Sequence, residues 1–369
     1  MFSFDVTATS GRARTGLITT PRGTLTTPCF MPVGTRASVR TISAADLEDL
    51  DPEIILGNTY HLMLRPGAEL IEELGGLHSF QDWNGLILTD SGGYQIFSLK
   101  PKVDDEGAVF RSTYDGSTHR LTPEGAVDVQ MRLGSDIQMV LDVCPALPST
   151  EAALRAAVDQ TSRWAERARA AFLDRPERSD GRRAQFGIVQ GGLDIDLRVE
   201  SARRTIDIGF EGYAIGGLSV GEERSAMLRP ITATTDVLPA DQPRYLMGVG
   251  DPLSLVEGVS GGIDMFDCVL PTRLARHGTV LTSEGRLNLR AATYARDTRP
   301  VDPGFPGSPI ARWTRAYLRH LLVVKEPTAA RLLTLHNLAW TLDLMDRARA
   351  AVRDGSIDTL IVETAAIWS

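Results

Sequence analysis

The sequence predicts an α/β fold: an irregular (β/α)8 barrel with antiparallel hairpins at the N-terminus and an inserted subdomain near the C-terminus. Three observations predict it. Short apolar runs recur along the chain, each ending in a polar or glycine-rich turn. Stretches with helical apolar spacing separate most of them. No G-x-G-x-x-G follows the first run, so a doubly wound open sheet, the alternative, lacks its usual signature.

The first forty residues read as hairpins. Phe4–Thr9, Gly16–Thr20 and Thr24–Thr27 are rich in β-branched residues, and Ser10-Gly11 and Pro21-Arg22-Gly23 supply the turns. The apolar runs follow at 53–58, 86–90, 137–142, 186–190, 213–217, 245–250 and 263–267, and a weaker eighth candidate lies at 332–336. Thr122-Pro123-Glu124 opens a helix with a cap and a first-turn proline. Ser149-Thr150-Glu151 opens a long one to Phe172, Asp251-Pro252 another, and 338–352 forms the last. Residues 97–121 alternate like an inserted hairpin, and 174–184 read as a polar loop. Residues 278–330 begin as a hairpin at Ser283-Glu284-Gly285, cross a proline-rich loop at 300–309 and enter a helix near 311–324. The expected organisation is one TIM-barrel domain over 1–369, with 278–330 as the inserted subdomain.

Composition narrows the function. The chain has 369 residues, of which 43% are hydrophobic and 23% charged, an ordinary globular balance. No apolar run approaches the ~20 residues that span a bilayer. Met1–Asp5 has neither a basic segment nor an apolar one of the secretory kind, so a cytoplasmic location is expected. Cys29, Cys144 and Cys268 are widely spaced, which excludes a disulfide framework and a cysteine-rich zinc cage. The net charge of −8 argues against indiscriminate nucleic-acid binding but leaves room for a local basic face. Lys100, Lys102 and Lys325 are the only lysines, and the remaining positive charge is arginine.

Catalytic groups of such a barrel sit at the C-terminal ends of its strands. Three predicted strands end in aspartate: Asp90, Asp142 and Asp267. Another ends in Gln190, another in Gly216-Gly217, and Met247 lies just inside a sixth. A single Asp in such a place is ordinarily a cap or a turn former. Three at one mouth suggest chemistry. Asp251 precedes a proline and reads as a cap, and Asp264 has the opposite parity to Asp267 and should face away. Two carboxylates serve glycoside chemistry, one as nucleophile and one as acid. A third, with Gln190 and backbone groups, can read the edge of a heterocycle, and Tyr94 and Met247 can sandwich a flat ring. The pattern points to an N-glycosidic bond to a purine-like base.

At these residues the sequence closely resembles the bacterial tRNA-guanine transglycosylases (queuine tRNA-ribosyltransferases). The matching blocks include Ile55–Leu62 with Arg65-Pro66-Gly67, Leu88–Gln95, Gln190-Gly191-Gly192, Gly216-Gly217-Leu218, Tyr245–Gly250, Asp264–Cys268, Pro271-Thr272-Arg273 and Arg315–Leu318. The resemblance runs from about residue 11 to about 350 and implies the same barrel. It implies Asp267 as nucleophile at the ribose anomeric carbon and Asp90 as general acid/base. Asp142, Gln190 and the backbone at Gly216, Gly217 and Leu218 would read the base, Tyr94 and Met247 would stack on it, and Ser91 lies beside the site. Arg273 and Arg276 would grip the anticodon-loop backbone. The implied reaction is a ping-pong exchange of the wobble guanine for a 7-deazaguanine in queuosine biosynthesis, in a homodimer, without a redox cofactor.

The sequence departs from the family in three places. The family's structural zinc is held by Cys-x-Cys-x-x-Cys and a later His; here Phe305, Gly307 and Ile310 stand at the cysteine positions and only His336 remains, so no metal is expected. Val143 stands where many bacterial members carry Glu beside the base-reading Asp, while Val220 matches the bacterial small-substituent pocket. The C-terminal tail is shortened. Two other readings accompany these departures: exchange on a free nucleoside or nucleotide, and a non-catalytic tRNA-binding partner subunit. The intact Asp90, Asp142 and Asp267 speak against the second.

Overall fold

The computed structural model describes residues 1–175 and 183–368. Nine parallel strand segments make one continuous sheet. Its two end members, Cys29–Met31 and Val33–Gly34, are halves of a single extended stretch interrupted at Pro32. The first half pairs with Met265–Asp267 and the second with Ile54–Gly57, so the sheet closes on itself as an irregular barrel of eight staves. The other staves are Leu86–Thr89, Ile137–Met139, Ala184–Val189, Gly212–Ile215 and Arg244–Leu246. All are short, and nearly every residue in them is buried, as expected of parallel strands covered on both faces.

Seven of the eight expected staves lie where the apolar runs predict. The eighth does not. Leu332-Leu333-Thr334-Leu335-His336 belongs to the helix Pro327–Arg353, and the closing stave is the Cys29–Gly34 stretch instead. The reason is physical. Residues 332–338 are all buried in a helix packed on several sides, which erases the helical stripe and leaves an unbroken apolar run.

Local signals act as expected elsewhere. Thr122 caps Pro123–Leu133, Thr150 caps Glu151–Leu173 and Asp251 caps Pro252–Ser260, each by accepting a backbone N–H from three residues ahead. The N-terminal hairpins form an antiparallel sheet of Ser3–Ser10, Ala13–Thr19 and Thr24–Thr27. The insertion after Leu86–Thr89 is a three-stranded sheet of Lys102–Asp104, Gly107–Arg111 and Thr118–Leu121. The polar loop expected at 174–184 falls largely on residues 176–182, outside the described residues.

Residues 278–330 begin with the hairpin Thr279–Thr282/Gly285–Asn288 and end in the helix Arg315–Val323, which starts later than the sequence suggests because Thr314 is its cap. Val280, Leu289, Val301, Ile310, Leu318 and Leu322 form an apolar cluster of their own here. His336 is fully buried beside it. Its Nε2 lies 2.7 Å from the Leu281 carbonyl and its Nδ1 2.8 Å from Ser308 Oγ. A carbonyl only accepts, so Nε2 carries the proton and the Ser308 hydroxyl donates to Nδ1. The Phe305 ring meets the imidazole edge-on, 6.0 Å between centroids.

Asp264 anchors the opposite, N-terminal end of its stave. It is fully buried and receives Nε and Nη2 of Arg14 at 2.9 and 2.6 Å and the Arg244 amide at 2.7 Å. It faces away from Asp267, as its parity requires. Arg14→Met would leave this carboxylate buried without its cation. The expected loss is about 3–5 kcal/mol, read as a lowered denaturation midpoint; an unchanged midpoint would show that the pair does not hold the barrel floor.

Candidate active site

The strand ends converge on one mouth. Asp90 directly follows Leu86–Thr89, and its carboxylate is held by two groups that follow the neighbouring stave and one from its own loop. Oδ2 receives Asn58 Nδ2 at 2.6 Å; Oδ1 receives the Thr59 amide at 2.8 Å and the Gly92 amide at 3.2 Å. Asn58 is fixed in turn, because its Oδ1 accepts from the His61 amide and caps the helix Thr59–Leu64. Burial raises the Asp90 pKa to about 7 against the pull of those amides, and the charges of Asp267 and Asp142 push the same way.

Asp267 ends the stave Met265–Asp267. Tyr245 donates its hydroxyl to Oδ1 at 2.6 Å, and the Gly248 amide donates to the same oxygen at 2.7 Å. Oδ2 receives no hydrogen bond among the described residues. Burial raises the pKa of this carboxyl too, while the Tyr245 and Gly248 donors favour its ionised form. The Tyr245 hydroxyl, buried against two acids, is itself pushed well above its ordinary pKa and stays a donor.

Asp142 is the third acid. Gln190 Nε2 donates to its Oδ2 at 2.6 Å, and the nearby Ser91 hydroxyl also favours the ionised form. Burial lifts its pKa to about 6 in spite of both. Gln190 Oε1 is buried against Gly217 and has no hydrogen-bond partner among the described residues. The Gly216-Gly217 pair makes room for this amide. A Cβ at Gly217, which has φ +64°, would come within 2.3 Å of Gln190 Oε1.

The site residues that the resemblance implies lie at or just after strand ends on this side of the barrel. Ser91 and Leu218 are buried beside the acids. Tyr94 stands exposed on the short helix Gly93–Ser98 that follows Asp90. Met247 is half-buried next to Gly248. Arg273 and Arg276 lie on the helix Leu270–Arg276 immediately after Asp267, and Thr272 Oγ1 accepts from Arg276. Val143 turns its side chain into the apolar cluster around Tyr60 and Ile96 and so offers no acceptor.

Sequence reasoning missed the groups that hold the acids. Asn58 was detectable as the polar residue directly after a predicted stave. Tyr245 was detectable by parity, two residues before Met247 and on the same face. Arg198 gave no signal. It is fully buried on the helix Ile195–Ile208 and donates to the carbonyls of Gly192, Val189 and Gly217 at 2.8, 3.1 and 3.2 Å, joining the Gln190 and Gly217 loops from beneath.

Among the described residues no three His, Cys, Asp or Glu side chains stand close enough together to hold a metal ion. His336 does not fit a zinc ligand, because both ring nitrogens are engaged and the cysteine positions carry Phe305, Gly307 and Ile310.

Residues 8–369 match the family model described as queuine tRNA-ribosyltransferase. Among curated relatives, a queuine tRNA-ribosyltransferase of Pelotomaculum thermopropionicum is 54% identical over 345 residues, covering 93% of this chain and 92% of the relative. One from Halothermothrix orenii is 52% identical over 348 residues, 94% of this chain and 92% of the relative. One from Solidesulfovibrio magneticus is 48% identical over 368 residues, 99% of this chain and 98% of the relative. The chain belongs to the queuine tRNA-ribosyltransferase family.

Proposed function

We propose that the protein is a tRNA-guanine transglycosylase, exchanging the wobble guanine of tRNA for a 7-deazaguanine by double displacement. The observation that carries this reading is the pair of unlike carboxyls at one mouth. Asp267 has one oxygen fixed by two donors and the other open; Asp90 has both oxygens held and a pKa near neutrality. In the first step Asp267 Oδ2 attacks the ribose C1′, the C1′–N9 bond breaks, and Asp90 gives a proton to the departing guanine. In the second, the incoming base gives a proton to Asp90 and attacks C1′, and the ester bond to Asp267 breaks. The proton count closes and one glycosidic bond replaces another, so no energy-rich nucleotide is consumed.

Asp142 and Gln190 read the base edge in this account. The unpartnered Gln190 Oε1 and the Asp142 carboxylate are the polar groups a buried heterocycle would satisfy. Tyr94 and Met247 flank its faces, and Arg273 and Arg276 contact RNA phosphates. We infer a homodimer from the family resemblance; Tyr317, Val323 and Val324, exposed on and just after the helix Arg315–Val323, support it. We also take 278–330 as an inserted subdomain, supported by its separate apolar cluster. No described helix is long and apolar enough to cross a membrane, and the RNA substrate argues for a cytoplasmic location.

The direct test is incorporation of radiolabelled guanine into bulk tRNA. Wild type should incorporate label and Asp267→Asn should incorporate none, while Asp90→Asn should lose about 10²–10⁴-fold. A folded wild-type protein that labels no tRNA would move the reading to a smaller nucleoside.

Asp90 also sets a pH dependence. Its proton is needed for the departing base, so kcat/KM for tRNA should fall as pH rises through about 7. The folded state keeps this proton where the unfolded chain has lost it. The group's contribution to stability therefore declines as pH rises from about 4 towards the folded value. Carbon-13 NMR of labelled aspartates should show a carboxyl titrating near pH 7 that disappears in Asp90→Asn. A signal that titrates near pH 4 instead would refute the assignment.

We further propose that the subdomain is metal-free. The buried Ser308–His336–Leu281 chain, with Phe305 and Ile310, fills the place of the zinc ligands, and burial lowers the His336 pKa to about 4, keeping the ring neutral. Elemental analysis of purified protein should find far less than one zinc per chain, and EDTA should leave the melting temperature unmoved. Stoichiometric zinc would overturn this.

A further inference from the structure

Arg36 and Arg65 share one aromatic ring. The Arg36 guanidinium carbon lies 5.2 Å from the centroid of Tyr114 and that of Arg65 4.7 Å. Both arginines are exposed, and among the described residues neither has a carboxylate within ion-pair distance. Two like charges held on one tyrosine repel each other. The ring offsets part of that cost, and an anion between them would offset the rest.

The position of the cluster says which anion. Arg36 follows the stave Val33–Gly34, Arg65 closes the helix that Asn58 caps, and Tyr114 sits in the inserted hairpin. The three converge on the rim over Asp90. His61 Nδ1 lies 2.8 Å from the Tyr114 hydroxyl, and the Tyr60 hydroxyl contacts Thr113 at 3.0 Å, which fixes the hairpin to the loop that holds Asp90. Burial lowers the Arg276 pKa, and the charges of Arg40, a few residues on from Arg36, and of Arg273 lower it further, so Arg40 lies near Arg276. The loop 36–40 thus links this cluster to the arginines that follow Asp267.

We propose that Arg36 and Arg65, stacked on Tyr114, form a phosphate-binding subsite for the RNA backbone on the Asp90 side of the mouth, separate from Arg273 and Arg276. The proposal rests on the RNA-exchange reading above. Guanidinium groups suit it, since each presents planar paired donors to phosphate oxygens. Tyr114 pre-orders both side chains, which lowers the entropy lost on binding.

The test measures binding of a labelled anticodon stem-loop RNA by fluorescence anisotropy across a salt series. Arg36→Ala/Arg65→Ala should weaken binding by roughly tenfold near physiological salt and flatten the log–log salt slope by about 1.4, two phosphates at about 0.7 each for single-stranded RNA. Arg36→Lys/Arg65→Lys keeps the charge and should keep the slope while losing affinity. Tyr114→Ala should lose affinity, and Tyr114→Phe, which keeps the ring, should lose much less. In exchange kinetics the alanine pair should raise KM for RNA and not KM for guanine. Melting temperatures check that each variant is folded. An alanine pair with wild-type affinity and slope, in an assay where Arg273→Ala reduces both, would overturn the subsite and leave the exchange reading standing. Wild type that neither binds nor labels RNA would remove both.

Discussion

Three carboxyl groups are drawn out of water at the same end of a closed barrel, and the rest of the mouth is organised around the cost of doing so. A parallel barrel ends its strands in one ring, so Asp90, Asp142 and Asp267 are brought together by closure alone. Neighbouring buried acids cannot all ionise cheaply, and the charges of Asp267 and Asp142 add to burial in raising Asp90. The structure answers with donors distributed unequally. Asp267 receives a phenol and an amide on one oxygen. Asp142 receives an amide side chain and lies near the Ser91 hydroxyl. Asp90 receives three donors over both oxygens yet lies under the charge of the other two.

That inequality separates the chemical roles better than residue type does. Two donors on one oxygen orient a carboxylate while leaving its other lone pairs free, as a nucleophile requires. A carboxyl poised near neutrality can give and regain a proton within one turnover. Each donor has its own support. Asn58 is locked by capping a helix, Tyr245 is buried in a stave, and Gly248 sits at a positive φ of 74° that aims its amide inward. The Gln190 side is braced by the buried Arg198, whose hydrogen bonds among the described residues all go to backbone carbonyls. Preorganisation here is therefore built one layer out from the acids.

Much of this was legible in the sequence. Seven staves were visible because each is a short apolar run ended by a polar residue, and the same endings named Asp90, Asp142, Asp267 and Gln190. The closing stave was not, because Cys29–Met31, between Pro28 and Pro32, and Val33–Gly34, just after Pro32, are too short to show a period. Leu332–His336 misled for the opposite reason, a helix buried on too many sides to alternate. The supporting groups were harder still. Arg198 looks like any charged residue on an amphipathic helix, and only the fold reveals that its face meets carbonyls. The resemblance supplied the roles. The loss of three cysteines pointed to a changed subdomain, but the Ser308–His336–Leu281 chain that stands there could not be read from spacing.

Arginine does two different jobs in this chain, and the contrast bears on how an acidic protein handles a polyanion. Away from the mouth, arginines such as Arg14, Arg169 and Arg167 are bound to carboxylates and hold elements together. At the rim, Arg36, Arg40, Arg65, Arg273 and Arg276 have no such partner among the described residues. The net charge of −8 and the acidic pocket would repel an RNA approaching at random. An unpaired basic rim reverses the sign only where the backbone must pass. On the proposed reading, phosphates are held over the acids while a neutral base enters between them. The same field disfavours anionic small molecules in the pocket itself, because the charge that attracts phosphate lies outside and the charge inside is negative. Selectivity for a neutral heterocycle on a charged strand thus follows from where the arginines lack partners.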